Sequence, residues 1–207
     1  MTIAKLVTSG SFTLDGGTWD VDNNVWLVGD DREVVVIDAA HDAQAIQEAV
    51  GDRRLRAIVC THAHNDHINA AGPLADATGA PILLHPADAV LWEMEYGTAR
   101  QYEPLRDGDV LEMAGTALRV LHTPGHAPGA VSLHVPDLGV VFTGDTLFSG
   151  GPGATGRSYS SFDTIIGSIR DRLLALPPET VVHTGHGDST SIGAEAPDLE
   201  KWIARGH

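Results

Sequence analysis

Thr61-His62-Ala63-His64-Asn65-Asp66-His67 sets three imidazoles and a carboxylate within seven residues, directly after the apolar run Leu55-Arg56-Ala57-Ile58-Val59-Cys60. A run of that kind reads as a buried strand, and ligands delivered at its end sit on a rigid support. Imidazole nitrogen and carboxylate oxygen without thiolate suit a borderline divalent ion, zinc or else iron or manganese, in a site built for chemistry rather than structural stapling. A merely histidine-rich turn would lack the preceding strand and the intervening Asp66.

Upstream, residues 24–28 and 33–38 are strand-like and joined by the turn signal Gly29-Asp30-Asp31, while residues 42–50 carry Ala45, Ile46, Ala49 and Val50 at helical spacing with Gly51 as a stop. Downstream, residues 68–78 predict a helix with Pro73 in its first turns or at a kink, 81–85 a strand and 86–95 a helix. Strands follow over 109–113, 117–122, 130–135 and 139–142, each bounded by Gly or Pro. A glycine-rich loop over 150–156 then precedes an amphipathic helix over 162–176, a strand over 180–183 and a helix over 197–204. The two halves read as repeats of one plan. They predict an α/β (α+β) chain whose two sheets pack face to face with helices outside. No linker or low-complexity stretch divides residues 1–207, so one domain is expected.

At 207 residues, 43% hydrophobic and 20% charged, the chain has the composition of a globular protein. A net charge of −15 repels phosphate backbones, and the 13 Lys and Arg residues are scattered, which argues against a nucleic-acid partner. Cys60 is the single cysteine, so no intrachain disulfide forms, and its apolar surroundings predict a buried, inert thiol. Residues 1–10 lack the apolar stretch of a signal peptide and nothing downstream approaches ~20 consecutive apolar residues. A cytoplasmic protein without a membrane partner is expected.

A two-metal centre needs about six or seven protein ligands. Three more candidates stand at strand ends: His126 after Thr123-Pro124-Gly125, Asp145 after Val140-Val141-Phe142-Thr143-Gly144, and His186 after Val181-Val182-His183-Thr184-Gly185. Each follows a glycine, where the missing side chain lets the backbone turn and aim the ligand into a common crevice.

Together, Thr61 to His67, His122-Thr123-Pro124-Gly125-His126, Phe142-Thr143-Gly144-Asp145-Thr146-Leu147-Phe148 and Gly185-His186-Gly187 resemble, in order and separation, the metallo-β-lactamase superfamily, and within it the glyoxalase II (hydroxyacylglutathione hydrolase) branch. The resemblance implies a four-layer αββα sandwich with the site at the edge between its sheets. It implies that His62, His64 and His126 hold one divalent metal, that Asp66, His67 and His186 hold a second, and that Asp145 bridges them; zinc is the first expectation, iron or manganese the alternative. Two such ions lower the pKa of a shared water and hold it as a nucleophile. A carboxylate beside that water also accepts its proton, which gives Asp66 a second role as catalytic base. No G-x-S-x-G motif points to a serine hydrolase.

His122, His183 and His85, on or at the ends of apolar runs, are expected as hydrogen-bonded core groups or as partners of the ligands; His41, His134 and His207 are expected to be exposed. Asp38 ends a hydrophobic run and is read either as a partner of the metal loop or as a turn-forming residue. Arg157 and Tyr159, in the loop after Asp145, either touch substrate or sit on the surface. The glyoxalase II branch binds glutathione through a helical C-terminal extension, whereas a single helix is expected here beyond His186. The resemblance therefore implies a small acyl-thiol substrate, α-hydroxyacyl thioesters first, with the thiol carrier open. Persulfide dioxygenases share much of the pattern but use one iron, and lactone or ester hydrolases share the fold. A non-enzymatic metal-binding module predicts a broken ligand set, and all seven ligands are present.

Overall fold

The N-terminal residues Thr2–Leu14 (β1) and Gly17–Gly29 (β2) form one long antiparallel hairpin. Asp15 and Gly16 close it with φ of 52° and 76°, the two left-handed positions that a tight hairpin turn requires and that Asp-Gly supplies. The structure, a computed structural model, describes residues 1–206; His207 lies outside the described residues. β1 was not anticipated from the sequence, and β2 begins well before Asn24, because the hairpin is rich in Ser, Thr and Gly and only partly buried.

Asp30 caps the next turn through Oδ1, accepting from the Arg32 and Glu33 N–H groups, and Glu33–Ile37 (β3) follows antiparallel to β2. Then come Ala43–Val50 (α1), Arg54–Val59 (β4), Asn65–Ile68 (α2), Ala71–Thr78 (α3), Ile82–Leu84 (β5), Ala89–Tyr96 (α4) and Glu103–Pro104 (β6). The first sheet runs β1-β2-β3-β4-β5-β6, parallel from β3 onward. Val110–Met113 (β7), Thr116–His122 (β8), Val131–Val135 (β9) and Val140–Gly144 (β10) make an antiparallel meander. After the ribbon Leu147–Phe148 (β11) and Gly151–Pro152 (β12) and the helix Phe162–Ser168 (α5), Val181–Thr184 (β13) joins β10 in parallel and Thr190–Ser191 (β14) ends the second sheet. Ile192–Glu195 (α6) and Leu199–Arg205 (α7) follow.

Three apolar clusters separate four layers. Val34, Val36 and Ile58 pack against Ile46, Leu74 and Trp92 of the helices on one side. Val35, Ile37 and Val59 meet Leu118, Val120, Leu133 and Phe142 between the sheets. Val141 and Val182 meet Ile165, Ile169 and Trp202 on the far side. The alternation of β3 between the first two clusters is why its sequence is apolar throughout: both faces are covered. The result is the αββα sandwich.

The helix expected over 68–78 is split. α2 is a single turn that carries Asp66 and His67, and Pro73 falls in the first turn of α3, where its missing N–H costs nothing. The helix expected over 162–176 is α only to Ser168 and continues as a π turn over Ile169–Leu173. Among the described residues no helix is long and apolar enough to cross a membrane.

Candidate metal centre

β4, β8, β10 and β13 end on the same rim of the sandwich, and the loops beyond them deliver the site. Of the glycines preceding the ligands, Gly125 and Gly144 have positive φ (134° and 49°). Gly185 is required for a different reason: a Cβ there would lie 2.2 Å from Asp145 Oδ1 and 2.7 Å from His67 Cε1.

Four imidazoles have their Nδ1 fixed by an acceptor. His67 Nδ1 donates to Asp38 Oδ2 (2.9 Å), His126 Nδ1 to the Ala154 carbonyl (2.8 Å), and His186 Nδ1 to the Asp22 carbonyl (2.7 Å). His62 Nδ1 faces Thr61 Oγ1 at 3.1 Å, whose own hydroxyl donates to Asp38 Oδ2. With Nδ1 committed to these acceptors, each Nε2 points inward, where it can present a lone pair to a cation or hold a proton. His64 is turned the other way and offers Nδ1, 3.0 Å from both His62 Nε2 and His126 Nε2. His67 Nε2 and His186 Nε2 lie 3.2 Å apart, with Asp66 Oδ2 at 3.6 Å and 3.4 Å from them. Lone pairs at these separations repel one another unless a cation lies among them. Donors about 2.0–2.1 Å from one tetrahedral ion would stand about 3.4 Å apart, close to what these sets adopt.

Two sets of donors thus converge, His62 with His64 and His126, and Asp66 with His67 and His186. A third grouping, Asp38 with His62 and His67, is accounted for by the Asp38 hydrogen bonds to His67 and Thr61. The Asp145 carboxylate lies between the two sets, with Oδ1 3.4 Å from His67 Nε2 and Oδ2 3.5 Å from His126 Nε2 and 3.4 Å from His186 Nε2. Asp66 Oδ1, Asp145 Oδ1 and His64 Nε2 are buried without a hydrogen-bond partner. An unpartnered buried carboxylate oxygen is costly, and a divalent ion between the two sets would offset that cost for Asp145 Oδ1. The residues present fit a pair of divalent metals.

Electrostatics agree. Burial pushes His62 well below the usual imidazole range and His64 down to about 3, with the neighbouring imidazoles adding to the effect, so both stay neutral with a lone pair available. Burial alone would raise Asp66 and Asp145, yet His67 and His186 hold Asp66 down at about 2 and Asp145 well below the carboxylate range. Burial likewise opposes a charge on His67 and His186, and the surrounding carboxylates overcome it, raising His67 well above its ordinary value and His186 to about 10. No lysine or arginine is ion-paired to these carboxylates among the described residues. The centre is a field that demands positive charge.

A model of the metallo-beta-lactamase superfamily matches residues 18–186. The chain belongs to that superfamily. Hydroxyacylglutathione hydrolase GloC of Haemophilus influenzae is 32% identical over 188 residues, covering 83% of this chain and 89% of that protein. TTHA1623, crystallised in a di-iron-bound form, is 35% identical with a TM-score of 0.76, covering 85% of this chain and 93% of its own. ETHE1 from Myxococcus xanthus is 27% identical with a TM-score of 0.77, covering 100% and 90%.

The remaining sequence expectations divide. In this superfamily member Asp38 takes a left-handed backbone (φ 55°) at the end of β3 and uses both oxygens on the metal loop, through the Thr61 N–H, the Thr61 hydroxyl and His67. His122 and His183 touch no ligand. His122 stacks on His85 at 4.2 Å and donates Nε2–H to the Pro128 carbonyl. His183 packs against Trp26 and Phe142, with burial lowering it to about 4, and pairs with Ser189. His41 and His134 are half-buried rather than exposed. His41 Nε2 lies 2.8 Å from Asn23 Oδ1, and Asn23 Nδ2 donates to Asp66 Oδ2 at 3.1 Å, an indirect link to the centre that the sequence reading missed. Arg157 lines the cavity over the centre, but Tyr159 is exposed and does not.

That cavity has a volume of about 210 Å³, walled by Phe12, Val21 and Phe148, with Arg157 beside the ligands. The Arg157 guanidinium stacks over Trp19 at 4.2 Å and Phe12 at 5.2 Å, and Asp15 Oδ2 accepts the Ser158 N–H. The β1–β2 hairpin and the loop after Asp145 therefore close together over one side of the site.

Proposed function

We propose that this chain is a dinuclear metallohydrolase of small acyl thioesters, α-hydroxyacyl thioesters first. His62, His64 and His126 would hold one divalent ion and Asp66, His67 and His186 the other, with Asp145 shared between them; zinc is the first expectation, with iron or manganese as alternatives. The observation that carries the reading is the Asp145 carboxylate standing between two complete donor sets. The 32% identity to a hydroxyacylglutathione hydrolase and the di-iron form of TTHA1623 support the class and the metal count. When bound, the metal pair acidifies a water and polarises the acyl oxygen.

The chain's own residues supply the rest. Asn23 engages Asp66 Oδ2, which leaves Oδ1 without a partner and available to take a proton at the centre. Phe12, Val21 and Phe148 exclude water from the small acyl group that a 210 Å³ cavity admits. Arg157, the one lysine or arginine lining the cavity among the described residues, is placed to meet an anionic group on the substrate.

The deciding experiment combines elemental analysis with a panel of thioesters. About two metals per chain and thiol release without oxygen consumption are expected, and Asp66→Asn should lower kcat by 10²-fold or more, since an amide cannot accept the proton. One iron per chain, oxygen uptake with a persulfide and no thiol release would move the assignment to a dioxygenase.

A further inference from the structure

Asp88 closes the 3₁₀ turn Pro86–Asp88, which runs into α4 and is capped by His85 Nδ1 accepting the Ala87 N–H, and its own side chain makes no bond to the helix. Its side chain is buried, and both oxygens are engaged elsewhere. Oδ2 accepts the Ala63 N–H at 2.9 Å and Oδ1 the Gly129 N–H at 2.5 Å. Ala63 sits between His62 and His64; Gly129 belongs to the loop that carries His126. One carboxylate therefore joins the two loops that deliver the three-histidine set. The approach is close: a Cβ on Gly129 would stand 2.8 Å from Asp88 Cγ and Oδ1, so that loop reaches the carboxylate only as glycine. Burial of the carboxyl is unfavourable in itself, pushing it up to about 6 against the pull of the two N–H groups. The buried carboxylate is a cost, and the hydrogen bonds to the two loops are what offsets it.

The other donor set is held by different means. His67 is fixed by Asp38 and His186 by the Asp22 carbonyl, while Asn24 Nδ2 donates to the Thr184 and Gly187 carbonyls on either side of His186.

We propose that Asp88 is a positioning residue that sets the spacing of His62, His64 and His126 by clamping their two loops together, so that metal affinity at this set depends on it while affinity at Asp66, His67 and His186 does not. The inference rests on the reading of these side chains as ligands.

Zinc titration of the stripped full-length protein tests it. Asp88→Asn keeps the shape but turns an NH₂ group toward one of the two N–H donors, so one loop is released. The expected result is two zinc sites in the parent protein and, in the variant, one site weakened about 10- to 100-fold with the other unchanged. Gly129→Ala, which displaces the loop without altering the carboxylate, should weaken the same single site, and serves if Asp88→Asn folds poorly. Ile46→Ala, a core truncation on the buried face of α1, should lower Tm and leave both affinities intact, which separates positioning from general destabilisation. Unchanged affinities in the Asp88 and Gly129 variants, or equal weakening of both sites, would overturn the clamp alone. A parent protein that binds no zinc would overturn the ligand assignment and the clamp with it.

Discussion

His67 donates Nδ1–H to Asp38 Oδ2 at 2.9 Å while Thr61, six residues upstream, feeds the same carboxylate through its N–H and its hydroxyl. Asp38 thereby fixes both the tautomer of one proposed ligand and the start of the loop that bears three other candidates. Asp38→Asn has one acceptor oxygen in place of two and must abandon either His67 or Thr61. Metal affinity at the set containing His67 should fall about 10- to 100-fold with the far-ultraviolet spectrum unchanged. Competition with a chelator of known affinity measures it, and parental affinity would show Asp38 to be a turn residue only.

The position of Asp145 between the donor sets makes a contrast between two single substitutions. Asp145→Ala should reduce occupancy of both metals, whereas His186→Ala, which removes a donor from one set, should empty mainly that one. Metal-to-protein ratios near zero or strongly reduced for the first and near one for the second are expected. Full metal and full activity in both would refute the ligand assignment.

The pH dependence of the metal-stripped protein follows from the imidazoles. His64, held near 3 in the fold, and Asp66, held near 2, bind protons more readily when unfolded, so stability should fall as pH drops from about 6.5. His186, raised to about 10, contributes stability that is complete below about 6.5 and lost as pH climbs through 10. Tm of the stripped protein should therefore peak near pH 6.5. Metal replaces the protons on His186 and His67, so the loaded protein should lose the alkaline decline, and loading in weakly buffered solution near neutral pH should release protons. A flat alkaline limb for the stripped protein would contradict this balance of charge.

The centre was legible in the sequence where its parts were local. His62 to His67 reveal themselves by proximity, and His126, Asp145 and His186 by their shared place after a glycine at a strand end. Asp38 was half legible, since a carboxylate closing an apolar strand must be satisfied but the sequence does not say by what. Asp88 left no trace, because the N–H groups it binds are 25 and 41 residues away and Pro86-Ala87-Asp88 reads as an ordinary helix start. The β1–β2 hairpin was missed for the opposite reason: Asp15-Gly16 is a strong turn signal, but the flanking residues are too polar to announce strands, being held by pairing with each other more than by burial. Arg157 could be named as a candidate, yet what gives it a fixed place is Trp19, on that hairpin.

Arg157 is the one lysine or arginine lining the cavity among the described residues, and it is held there by stacking rather than by an ion pair with any of the lining carboxylates. A guanidinium that lines the pocket without an ion pair to its carboxylates, on a chain of net charge −15, favours an anionic group on the substrate. Arg157→Gln removes the charge and leaves most of the side chain. The metal content should stay at the parental value, KM for a thioester with a carboxylate on its carrier should rise about tenfold or more, and kcat should change little, the pattern of lost binding rather than lost chemistry. A neutral thioester of similar size should be affected far less. Equal losses on charged and neutral substrates would mean that Arg157 serves only to hold the hairpin against the loop, and Trp19→Ala should then reproduce its effect in full.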